Sequence, residues 1–201
     1  MTTRATLRAA LRGRLEDLGA GPLWDDALLD EAIAAAIRRY GQALPAHRML
    51  SLTLAAGARS AVLAEDVQDD RIVAVIDPAG TRVPRHRAVP GDDAAPPGQA
   101  WRAWGGVLAL DRPAAPGAWR VEYRAARARP GSDAVAIDVA TGDEEIVLGL
   151  ATAAALDQRV VADAKRGTAN GALGTRAEMS RQAAERALTH RRRVVRGAWR
   201  G

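Results

Sequence analysis

The spacing of hydrophobic positions changes period twice along this chain. Leu7, Leu11, Leu15 and Leu18 recur at helical intervals and stop at "GAGP". The next stretch, "WDDALLDEAIAAAIRRYGQALP", carries Asp25 and Asp26 at its start and Arg38 and Arg39 toward its end, as a helix dipole favours. Gly41 and Pro45 then close the pattern. Trp24, Leu28, Ile33, Ala36, Ile37 and Tyr40 are placed on one side of this helix. The two segments predict a helical hairpin over residues 1–46.

From Met49 the period drops to 2. "MLSLTLAAGARSAVLAEDV" alternates Leu50, Leu52 and Leu54 before a glycine turn and a second short run. "RIVAVIDPAG", "GGVLALDRP" and "AWRVEYRA" are further strand candidates, each bounded by Gly, Pro or Asp. They predict an inserted lobe over 47–130, a small antiparallel sheet or sandwich of about four to six strands. The stretch "RVPRHRAVPGDDAAPPGQAWRAW" interrupts it, and its prolines and glycines predict a long exposed excursion over 81–104 rather than core strand.

The helical period returns after "ATGDEE". Thr141 and Glu144 have capping-box spacing, and Ile146, Leu150, Ala153, Leu156, Val160 and Val161 make a wide apolar surface on a helix running to about Lys165. "RGTANGALG" reads as a flexible break. Thr175 and Glu178 repeat the capping-box spacing and open a last helix that reaches about Val195. The predicted fold class is therefore α+β, mainly α: residues 131–201 pack with 1–46 as one helical bundle, with the antiparallel lobe inserted between them.

Composition narrows the class of function. Among 201 residues, 26% are charged and 48% hydrophobic, which suits a folded protein rather than a disordered one. Without cysteine, neither disulfides nor thiolate metal sites can form. The longest apolar stretch, Ile146 to Leu156, is too short to span a bilayer, so no membrane partner is expected. The basic, amphipathic opening superficially suits a transit peptide, but Glu16 and Asp17 argue against that reading. The net charge of +5 is carried almost wholly by arginine, since Lys165 is the only lysine.

Convergent reactive groups are sparse. His47, His86 and His190 lack a second histidine at ligand spacing, and His86 stands between two arginines, which disfavour its protonation and a bound cation. Asp69-Asp70 and Asp92-Asp93 lie in turn-like segments and read as solvated carboxylates. "KRGTANGALGT" fails as a phosphate loop, because Thr175 and Arg176 follow its last glycine where a lysine is needed. The expectation is a protein without catalytic residues, metal or cofactor. The basic end "ALTHRRRVVRGAWRG" supports three readings: a solvated helix terminus, a nucleic-acid contact, or a docking tail in which Arg191, Arg192, Arg193, Arg196, Trp199 and Arg200 anchor an interface.

A family resemblance adds to this. "LRAALRGRLEDLGAGPLWDDALLDEAIAAAIRRYGQALP" resembles the N-terminus of tailed-bacteriophage head-to-tail adaptor (connector, or head completion) proteins, and "LSLTLAAGARSAVLAEDVQDDRIVAVIDPAG" is similar to the strand pattern that follows in them. "IVLGLATAAALDQRVVADAKRG" is similar in style to their long returning helix. Ala61 and Ala64 depart from that pattern, which has an aromatic residue and a proline there. The resemblance implies a virion protein of the neck, assembled in the host cytoplasm as a homo-oligomeric ring, commonly of about twelve copies. Its implied partners are the portal protein, reached by the C-terminal segment, and tail, stopper or nozzle proteins, with non-specific contact to packaged DNA. Trp24, Leu28, Ile33, Ile37, Tyr40, Leu150 and Leu156 would then serve packing within the bundle or between subunits. The alternative is a small DNA-binding or DNA-packaging protein that uses the Arg-rich C-terminal helix.

Overall fold

The computed structural model describes residues 2–17, 23–86, 98–168 and 170–198, with side chains as far as Val195. The protein is α+β, mainly α, and divides into two compact units: Met1–Pro45 with Arg127–Gly201, and Ala46–Ala126.

The helical unit begins with α1 (Arg4–Leu15), opened by Thr3, whose side chain accepts a hydrogen bond from the Thr6 amide. Leu7, Leu11 and Leu15 are buried, one per turn; Leu18 lies outside the described residues. Helix α2 (Asp26–Ala43) is capped by Asp25, which accepts from the Leu28 amide. Its core face is Leu29, Ala32, Ile33, Ala36, Ile37 and Tyr40, a strict i, i+3, i+4 series. Leu28 departs from expectation: it is 41% exposed, because one residue is a 100° turn away from Leu29, which holds the core position.

Helices α3 (Glu144–Lys165) and α4 (Gly171–Ala198) pack against each other and complete one core with α1 and α2. Small residues bring α3 and α4 close. A Cβ on Gly149 would sit 3.1 Å from the Ala184 Cβ, and the Ser180 hydroxyl donates to the Gly149 carbonyl at 3.1 Å. The break predicted over "RGTANGALG" is shorter than the pattern suggests. Asn170 accepts from the Ala172 and Leu173 amides, so α4 starts at Gly171 and Thr175 lies inside it, its hydroxyl bonded to the Gly171 carbonyl. At the start of α3, Glu144 accepts from the Gly142 amide, and the cap residue is Asp143 rather than Thr141.

The second unit holds seven strands among the described residues: β1 (Ala46–Leu54), β2 (Ser60–Val62), β3 (Ile72–Ile76), β4 (Arg82–Val83), β5 (Trp101–Trp104), β6 (Val107–Leu110) and β7 (Gly117–Ala125). They form a four-stranded sheet, β1-β7-β3-β4, and a three-stranded sheet, β2-β6-β5, with all these strand pairs antiparallel. Leu54, Val75, Trp119 and Val121 from one sheet and Trp101, Leu108 and Leu110 from the other share a core, as in a small sandwich. The exposed excursion expected over 81–104 is thereby corrected at both ends. Val83 and Trp101 are buried strand residues, and the Trp101 indole donates to the Val83 carbonyl at 3.0 Å. The intervening residues 87–97 lie outside the described residues. Gly105 and Gly106, both at positive φ, make the tight hairpin that joins β5 to β6.

Candidate functional site

The basic end of α4 is built on a buried carboxylate. Asp143 is 5% exposed at the head of α3 and makes no cap bond with its side chain, because both its oxygens are already engaged. The Tyr40 hydroxyl donates to it at 2.6 Å, and Arg191 meets it through Nε at 2.9 Å. Tyr40 also accepts from the Ala140 amide at 3.4 Å and lies under the Arg127 guanidinium, 5.0 Å from the ring centroid. Arg127 in turn donates to the Leu44 carbonyl and to Asp138. Burial first, and the hydrogen bond to Asp143 second, push the Tyr40 hydroxyl up to about 12. One cluster thus ties together the end of α2, the start of α3 and the last turns of α4.

This placement divides the residues expected to form a docking tail. Arg191 is held within the fold by Asp143 through its Nε, with its side chain 36% exposed. Arg192 and Arg193 are exposed, and neither has a carboxylate partner among the described residues. Arg193 lines a shallow depression with Glu185, Arg186, Thr189 and His190. The Arg196 side chain, Trp199 and Arg200 lie outside the described residues.

Much of the remaining arginine is structural too. Arg4, Arg8 and Arg12 recur every four residues on α1 and meet Asp133, Asp30, Asp17 and Asp26. Arg8 is held more firmly protonated than usual, chiefly by its hydrogen bond to Asp30. Arg12 holds the Asp26 carboxyl below the usual carboxylate range, and Arg4, then Arg8, do the same for Asp133. Asp17, itself buried, accepts from Arg12 at 2.6 Å and from the Leu23 amide. On α4, Arg181 pairs with Asp157 and Glu178, Arg176 bonds to Glu16 and the Arg14 carbonyl, and the two oxygens of Glu185 accept from Nε and Nη2 of Arg39. None of these partners is local in sequence except Glu178 with Arg181 and Arg12 with Asp17, so periodicity has no means of announcing them.

Of the residues expected to pack, Ile33, Ile37, Tyr40, Leu150 and Leu156 are buried in the helical core. Trp24 joins them, its indole donating to the Ala155 carbonyl at 3.4 Å. Leu28 stays outside. His86 has a partner that its flanking arginines do not announce: its Nδ1 lies 2.7 Å from an oxygen of Asp111, the residue after β6. Asp69 and Asp70 open a 3-10 turn before β3, while Asp92 and Asp93 are outside the described residues. Among the described residues, no group of three or more His, Asp and Glu side chains could hold a metal ion, and no helix is long and apolar enough to cross a membrane.

The arrangement offers a helix end with two exposed guanidinium groups, a chemistry suited to an acidic surface. Compared with known proteins, the chain matches no family model and no curated protein.

Proposed function

We propose that this chain is a structural virion protein: a bacteriophage or prophage-derived head-to-tail adaptor that forms a ring, docks on the portal and presents a platform to tail, stopper or nozzle proteins. It works by assembly, with no turnover, in the neck of the particle. The observation that supports this most is the end of α4. The helix is pinned by Arg191 on Asp143 and then continues for about two turns with Arg192 and Arg193 unpaired by carboxylates among the described residues. The Arg191–Asp143 pair fixes where the helix end projects Arg192 and Arg193, two exposed residues of a type that commonly anchors interfaces.

The test is the light-scattering mass of the purified chain, alone and mixed with the portal ring encoded nearest to it, against an Arg192→Glu/Arg193→Glu variant. The expected result is a large complex that forms with the portal and weakens about tenfold or more in the variant. A chain that ignores the portal but binds duplex DNA, with affinity falling steeply as salt rises, overturns the adaptor reading in favour of the DNA-binding one.

A further inference from the structure

The outer face of the three-stranded sheet breaks the pattern expected of a sandwich, whose outward positions are normally polar. Register places Val62, Val107 and Trp104 directly opposite one another in one cross-strand row, and Ser60, Ala109 and Arg102 in the next. The alternate positions Ala61, Leu108 and Ala103 face the core. On the outer face Trp104 is 87% exposed, Val62 78% and Val107 36%. The six residues include no carboxylate and a single charge, Arg102. The apolar surface they leave in water is on the order of 300–400 Å², as large as the main patch of many monomers.

The two rows are complementary to each other. One is bulky across all three strands; the other is small at Ser60 and Ala109 and cationic at Arg102. They are two residues apart along each strand, about 7 Å. A two-fold axis lying in the plane of the interface, across the strands and midway between the rows, sets each row of one copy on the other row of its partner. Val62 then meets Ser60, Val107 meets Ala109, and the Trp104 ring meets the Arg102 guanidinium, a cation–π pair.

We propose that this face is a self-association surface whose occupant is the same face of a second copy of this chain. The contact closes on a pair, so it is separate from any ring, which needs head-to-tail contacts, and it stands whether or not the adaptor reading does. A patch of this size is about half of what a stable dimer buries per partner, so association is concentration-dependent rather than permanent.

Sedimentation equilibrium of the full chain over a wide concentration range tests it, with circular dichroism verifying each fold. A reversible monomer–dimer equilibrium is expected. Trp104→Ser should weaken it by about tenfold or more, and Ala109→Arg, which fills the small row with charge, should abolish it. Arg102→Ala combined with Trp104→Ser should weaken it little beyond Trp104→Ser alone, since the two residues face each other. Met49→Ser, on the outer face of β1, should leave it unchanged. A chain that is monomeric throughout, or a dimer indifferent to both Trp104→Ser and Ala109→Arg, overturns the proposal. So does binding through Trp104 to lipid vesicles without self-association.

Discussion

In the helical unit, Tyr40 and Asp143 are polar groups taken out of water and given partners, each other at 2.6 Å and the half-buried Arg191 at 2.9 Å. In the sheet unit, Val62, Val107 and Trp104 are apolar groups left in water with none. Both depart from the ordinary partition of side chains, in opposite directions. A buried carboxylate without its partners is costly, so the first cluster is bound to the fold and its loss should be felt as instability. An exposed tryptophan contributes little to the fold that carries it, so the second is free to serve an interface and its loss should be felt only in association. The same logic separates the arginines: those of α1 hold helices together, whereas Arg192 and Arg193 have nothing to hold within the described residues.

Substitutions at the two places should sort along that line. Asp143→Ala leaves the buried Tyr40 hydroxyl without its acceptor and the partly exposed Arg191 guanidinium without its carboxylate; a loss of about 2–4 kcal/mol in urea unfolding is expected. A cost below about 1 kcal/mol would mean that Asp143 does not tie α2, α3 and α4 together. Next come two adjacent leucines. Leu29→Ala should cost about 2–4 kcal/mol, and Leu28→Ala under about 0.5 kcal/mol, in the same assay. Equal costs would mean that the core face of α2 is drawn wrongly.

Tyr40→Phe should cost about 1–2 kcal/mol at neutral pH through the lost hydrogen bond. Its pH dependence is sharper. Folding raises the tyrosine from its ordinary value near 10 to about 12, so its contribution is complete below pH 10 and is lost as pH rises toward 12. Over that window the wild type should lose about 2–3 kcal/mol relative to the Phe variant, and parallel curves would refute the buried hydroxyl. The smallest effect on stability belongs to Trp104→Ser, within about 0.5 kcal/mol of wild type by thermal unfolding. A large loss there would show that Trp104 belongs to the core of its own chain and would erase the contrast.

The pattern of the sequence reached the architecture because burial is periodic. Leu7, Leu11 and Leu15 mark one face of a helix, and the strands at 72–76, 107–110 and 117–125 fall inside runs delimited by Gly, Pro or Asp. It failed where a short segment is governed by what packs on it. The residues at both ends of the supposed excursion look like loop, with Pro84 and Gly98 beside them, yet Val83 and Trp101 are drawn into strands by the core they fill. Thr141 and Glu144 have the right spacing for a capping box, but Asp143 is the cap residue. The tail was legible as basic; that Arg191 is committed to Asp143 was not, since a pairing across 48 residues leaves no local trace.

The sequence by itself determined the periods, and with them the order of the four helices and of the strands other than β4 and β5, because amphipathic spacing follows from backbone geometry alone. It also determined the absence of thiol chemistry, which residue types alone decide. Tertiary structure decided which charges are free and which are not. Arg4, Arg8 and Arg191 read like any other arginine until distant carboxylates are brought to them, because an ion pair depends on distance in space rather than along the chain. It also turned Val62, Val107 and Trp104 into a single exposed row, since only strand register can set Val62 beside residues more than forty positions further along the chain.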